Sequence, residues 1–158
     1  MSDLLLRGIL IGIGATILMD IWDLLLGQLP GRSRADWGPV GRWFWHLGRG
    51  QVFHADIAQA APHAREATFG WIAHYAVGIL YGIIFAFIVG RPWFVHPTFW
   101  PAWLWGIVTI SAGWFLLMPG MGRGWAGSAT PSPTLTRFLG LVAHTVFGFG
   151  LYATALFL

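Results

Sequence analysis

Apolar residues run along this chain in four long blocks, at roughly residues 4–26, 68–90, 99–118 and 138–158, separated by stretches that mix polar, aromatic and turn-forming residues. Each block is apolar on every side, as expected of a helix immersed in a core or in lipid. About 20 such residues span the roughly 30 Å of bilayer hydrocarbon. The pattern predicts an all-α polytopic membrane protein, a single domain over residues 1–158 with four transmembrane helices in one bundle. Between the spans lie a long loop (27–67), a short one (91–98) and a third (119–137) rich in Gly, Pro, Ser and Thr. Within the first loop, Trp37–Arg49 (WGPVGRWFWHLGR) mixes aromatics and arginine like an amphipathic helix lying along the membrane.

Composition strengthens this reading. Only 9% of residues are charged and 56% are hydrophobic, against roughly a quarter charged in soluble domains, which excludes an ordinary water-soluble globule. The net charge of +3 comes from nine arginines against six acids, with no lysine. So sparse a set makes no basic stripe for nucleic acid. Without cysteine there is no disulfide, thiolate metal site or thiol nucleophile. The start, Met1-Ser-Asp-Leu, lacks a basic region, and no small-residue cleavage site follows, so the first block reads as a retained span. The 11 tryptophans fall near predicted interfaces: Trp93, Trp100, Trp103 and Trp105 on one side, and Trp37, Trp43, Trp45, Trp71 and Trp125 on the other.

Small residues mark the faces that meet. Gly8, Gly12, Thr16 and Asp20 recur every four residues in the first span, with Asp23 close behind. Gly70, His74, Gly78 and Gly82 do so in the second, and Gly140, His144, Gly148 and Tyr152 in the fourth. Such stripes let helices approach closely in lipid. Two of them also repeat in sequence: GWIAHYAVG (70–78) and GLVAHTVFG (140–148) share G-x-x-A-H-x-x-x-G. Gly14/Met19 and Gly113/Met118 form a fainter echo, and together they predict a duplicated helical hairpin.

At 1.5 Å per residue, Asp20, His74 and His144 all fall roughly 10 Å inside one interface. Ionisable groups at that depth are costly and usually functional. Several readings stand: an Asp–His pair that fixes helix register, a transition-metal site of Asp20, His74 and His144, or a haem-like tetrapyrrole held by the two histidines. Gly70 and Gly140, four residues before each histidine, would give a flat macrocycle room, and nearby arginines would receive its propionates. Met19, Met118 and Met121 would suit copper(I), and Ser111 and Trp114 are what the third span adds. A proton or solute pathway through Asp20, Asp23 and the histidines would require a homo-oligomer. An accessory subunit of a larger membrane complex is a further possibility. The loop residues His46, His54, Asp56, His63 and Glu66 lack zinc-motif spacing and read as solvated.

The runs GIGATILMDIWDLLL (12–26), GRWFWH with GQVFH (41–54), GWIAHYAVGILYG (70–82) and TPSPTLTRFLGLVAHTVFGFGLY (130–152) together resemble a bacterial family of small four-span inner-membrane proteins known only as a domain of unknown function. The resemblance covers nearly the whole chain. It implies four helices and an inner-membrane location, and brings no activity and no catalytic residue.

Arginine placement orients the spans, because positive residues accumulate in cytoplasmic loops. Arg32, Arg34, Arg42, Arg49, Arg65, Arg123 and Arg137 lie in the first and third loops, and only Arg7 and Arg91 on the opposite side. Both termini are therefore expected in the periplasm. An alkaline phosphatase fused to the C-terminus should be active; an inactive fusion would reverse the orientation.

Overall fold

The computed structural model describes residues 1–31 and 34–158, so Arg32, counted above, lies outside the described residues. Among them there are helices and no strands. The long helices are α1 (Ser2–Leu26), α3 (Glu66–Val95), α4 (Phe99–Ala112) and α6 (Pro133–Ala155). Shorter ones are α2 (Gly38–Leu47) and α5 (Met118–Gly120), with 3-10 turns at Ile57–Gln59 and Trp125–Gly127. Four helices are long and apolar enough to cross a membrane: Ser2–Leu26, Glu66–Val95, Phe99–Gly120 and Pro133–Ala155.

Two of these depart from the regular helices expected. In α3, Gly90 adopts φ 66°, a left-handed conformation that breaks the helix. Residues 91–95, expected in a loop, then wind a further turn. Pro92 stands near the start of that turn, where a missing N–H costs little. In the third span, Gly113–Leu117 forms a π-helical turn before α5. Pro119 supplies a reason: it has no N–H to give the carbonyl of Phe115, and its ring crowds that carbonyl.

The chain groups into two compact units. Unit 1 comprises Met1–Arg34, Tyr75–Thr109 and Leu141–Leu158, and unit 2 comprises Ala35–His74 and Ile110–Gly140.

Unit 1 is a bundle of segments from all four long helices. Its core contains Ile11, Ala15, Phe85, Ala86, Trp93, Phe94, Ala102, Phe147, Leu151 and Ala155. Trp93, expected at an interface, is buried here, with its indole N–H donating to the Thr98 carbonyl at 3.2 Å. Leucine, isoleucine and phenylalanine side chains such as Leu10, Ile17, Leu80, Ile84, Phe87, Leu104 and Phe149 are exposed. Helix faces of this kind are at home in hydrocarbon rather than water.

Two glycine seams close the bundle. A Cβ on Gly12 would lie 2.7 Å from the Gly78 carbonyl oxygen and from Ile79 Cα, and one on Gly82 would lie 2.6 Å from Gly12 Cα. In the second seam, a Cβ on Gly106 would lie 2.8 Å from Gly148 Cα, and one on Gly148 the same distance from Trp103 Cα. Each seam carries a threonine bonded back to its glycine: Thr16 Oγ1 donates to the Gly12 carbonyl at 2.8 Å and Thr109 Oγ1 to the Gly106 carbonyl at 2.6 Å. The two hairpins therefore pack alike, in keeping with the sequence repeat. A third close approach sets Gly150 against Ala15, with Cβ-to-Cα spacing of 2.6 Å.

Unit 2 has its own small core of Trp43, Ile57 and Met121. Trp43, expected to anchor at an interface, is 2% exposed and donates from Nε1 to the Val52 carbonyl at 2.8 Å. Segment 52–57 is stitched to the turn after α5 by His54 N–H to the Gly120 carbonyl (2.9 Å) and Ile57 N–H to the Met121 carbonyl (3.1 Å).

Gly12→Val and Gly106→Val should each force the paired helices apart and cost at least 1–3 kcal/mol, lowering the thermal midpoint in detergent. A Cβ on Gly113 would meet nothing within 4 Å, so Gly113→Ala should stay within about 0.5 kcal/mol of the parent. Equal effects at the three sites would refute the seam assignment.

Candidate functional site

The stripe ending at Asp20 is the buried face of α1: Gly8, Ile11, Gly12, Ala15 and Thr16 are its buried residues. Asp20, one turn further on, is half-buried, and one carboxylate oxygen accepts a hydrogen bond from the Tyr75 hydroxyl at 2.7 Å. A phenol donating to a carboxylate makes a short charge-assisted bond. It gives Asp20 a neutral polar partner that position-by-position reading of α3 had passed over. Tyr75 directly follows His74 in the sequence, and a phenol inside an apolar run is not conspicuous beside an imidazole.

His144 also lies in unit 1. Its Nδ1 is 3.0 Å from Thr109 Oγ1 and 3.1 Å from the Gly106 carbonyl. Because the Thr109 hydroxyl already donates to that carbonyl, Nδ1 carries the proton and donates. Nε2 is then the ring's lone-pair nitrogen. A carbonyl holding one ring N–H while the other nitrogen keeps its lone pair is the usual orientation of a working histidine.

His74 belongs to unit 2 and has a different setting. Its ring stacks on Trp37 with centroids 4.0 Å apart and planes 28° apart, and Trp71 meets it edge-on at 5.9 Å. The repeated histidines thus have unlike surroundings despite their shared motif. Among the described residues, no three His, Cys, Asp or Glu side chains are grouped to hold a metal ion.

The room expected beside Gly70 and Gly140 is taken by this chain's own groups. A Cβ on Gly70 would collide with the Trp37 carbonyl and lie 2.9 Å from Trp37 Cβ. One on Gly140 would lie 3.3 Å from Ile110 Cδ1 and 3.4 Å from Trp114 Nε1. Each glycine thus has a tryptophan of the protein itself beside it.

The strongest polar node lies in unit 2 at Arg42, which sequence reading had counted only as a topogenic charge. Its Nε and Nη2 each donate to a Glu66 carboxylate oxygen at 2.8 Å. Nη1 reaches the carbonyls of Ile57, Ala58 and Ala60 at 3.1, 3.0 and 3.3 Å. Hydrogen bonding to Glu66 raises the Arg42 pKa above its already high ordinary value, so the pair stays ionised. The fork geometry that only arginine offers is used fully. The 24-residue separation leaves no local pattern from which the pair could have been read. Nearby, Arg49 lies over Trp45 at 3.7 Å, and His63 packs against the same indole at 3.8 Å. His54, expected to be solvated, is 9% exposed because the stitching to Gly120 draws it inward.

An all-helical chain with four membrane-length apolar helices and polar groups set along them has the architecture of a multi-pass membrane protein. Residues 9–158 match the family described as "Protein of unknown function (DUF2938)", and the chain belongs to that family. No curated protein and no solved structure gives a significant match.

Arg42→Lys keeps the charge but loses the bidentate fork, and should cost about 1–3 kcal/mol. Segment 57–60 should then be cut faster by protease in the purified protein. Unchanged cleavage would show that Arg42 does not hold this segment.

Proposed function

We propose that this protein is a small carrier of the bacterial inner membrane, working as a homo-oligomer, in which Asp20 takes up and releases a proton or small cation. The observation that carries this reading is the 2.7 Å bond from the Tyr75 hydroxyl to the Asp20 carboxylate on a membrane-length helix. Carboxylates at such depth mark ion and proton pathways in membrane proteins. A phenol donor stabilises the charged form of the carboxylate through a hydrogen bond. His144, with its Nδ1 proton held and Nε2 bearing a lone pair, is the second group of unit 1 suited to proton exchange. A four-span chain encloses little space of its own, which is why the reading includes an oligomer. The arginine-rich loops favour cytoplasmic placement, with both termini periplasmic. A metal held by Asp20, His74 and His144 has less support, since no such group is gathered among the described residues.

The test is proton uptake into proteoliposomes holding the full-length protein, followed with an internal pH-sensitive dye. Asp20→Asn should abolish the flux above protein-free vesicles, and Tyr75→Phe should slow it several-fold while leaving the fold intact by thermal melting. Wild-type flux no greater than in empty vesicles, or Asp20→Asn flux equal to wild type, would defeat the proposal. A fall in melting temperature in both variants without any change in flux would leave the pair a purely structural staple and defeat it equally.

A further inference from the structure

His46 and His54 of unit 2 are imidazoles that lie close together and that the proposed carrier site does not use. The His54 ring is oriented by the Gly120 carbonyl, 3.1 Å from Nδ1, and the same oxygen accepts the His54 backbone N–H. A carbonyl can only accept, so Nδ1 carries the proton and Nε2 the lone pair. That Nε2 is fully buried and has no hydrogen-bond partner. The His46 and His54 ring centroids are 5.0 Å apart, with the two planes at 88°. His46 Nε2 is 3.0 Å from the Ala61 carbonyl, which places the proton there. The remaining His46 nitrogen, Nδ1, lies 3.1 Å from the side-chain amide oxygen of Gln51, an exposed residue; turning that amide over brings its NH2 to donate to Nδ1.

Each ring therefore has one N–H held by a backbone carbonyl; the other nitrogen of His54 keeps its lone pair, and that of His46 does so once the Gln51 amide is turned over. This is the arrangement that orients metal-ligating histidines. Two imidazoles sharing a tetrahedral ion through bonds of about 2.0 Å have centroids about 5 Å apart, close to the spacing seen. We propose that His54 Nε2 and His46 Nδ1 bind one divalent transition-metal ion of the zinc type. Gln51 swings from His46 to admit the ion and offers its amide oxygen as a further ligand. No third His, Cys, Asp or Glu joins the pair among the described residues, so water completes the coordination and the ion exchanges more readily than in a four-ligand structural site. The bound ion would tie α2, through His46, to segment 52–57, through His54.

The experiment is titration of metal-stripped, full-length protein in detergent with Zn2+ by calorimetry, alongside the Cu2+ electron paramagnetic resonance spectrum of the wild type. The expected result is one Zn2+ per chain and a Cu2+ spectrum showing two imidazole nitrogens. Binding should weaken at least tenfold in His46→Gln and in His54→Gln and be unchanged in the control His96→Gln. His46→Gln alters a ring outside the buried core, so it decides the matter even where His54→Gln does not fold. No Zn2+ binding by the wild type, undiminished binding in His46→Gln, or a Cu2+ spectrum without two nitrogens would overturn the proposal.

Discussion

Backbone-to-backbone approach at the glycine seams is the constraint on which unit 1 depends. In lipid, helices gain nothing from hiding leucine from water, so their association rests on van der Waals contact and on hydrogen bonds between them. Contact becomes extensive only where no side chain holds the axes apart. Gly12 against Gly78, and Gly106 against Gly148, supply that in each hairpin, at spacings a Cβ would violate. The larger residues are then free to act elsewhere. Phe85, Phe147 and Leu151 fill the core, while Leu80, Ile84 and Phe149 remain outside. Thr16 and Thr109 fit the seams because each hydroxyl is spent on a carbonyl of its own helix, so close packing strands no donor.

Close packing sets the terms for the polar groups along the spans. Asp20 receives the Tyr75 hydroxyl, and His144 gives its Nδ1 proton to Thr109 and Gly106. Both of these hydrogen bonds join an ionisable group to neutral ones. Arg42 and Glu66 show the opposite arrangement in unit 2. Both charges are committed to each other, and three carbonyls use up the remaining guanidinium edge. The Arg42 node is the arrangement that holds a loop in place.

The repeated G-x-x-A-H-x-x-x-G motif shows how similar local sequence acquires different surroundings. Its final glycines, Gly78 and Gly148, both lie in helix seams. Its histidines diverge. His74 meets the Trp37 indole, contributed by the residue just before α2, whereas His144 meets Thr109 of α4. The first half of the chain carries a long loop between its spans and the second half does not, so the element that reaches each imidazole differs. Gly70 and Gly140 are likewise small in order to seat the protein's own Trp37 and Trp114.

The four helices, their approximate limits and the glycine faces were legible in the sequence alone, because hydropathy and residue size are local properties that recur at the helical period. Asp20 stood out for a similar reason: a carboxylate within an apolar run is conspicuous whatever surrounds it. Only the tertiary structure decided its partner, since a hydrogen bond 55 residues away in sequence depends on which faces the seams bring together. The same holds for the burial of His54, Trp43 and Trp93 and for the fork of Arg42 on Glu66. The break at Gly90 and the π turn before Pro119 lie between these cases. The residues that cause them stand plainly in the sequence, but a regular helix was the cheaper expectation until the backbone was seen to depart from it.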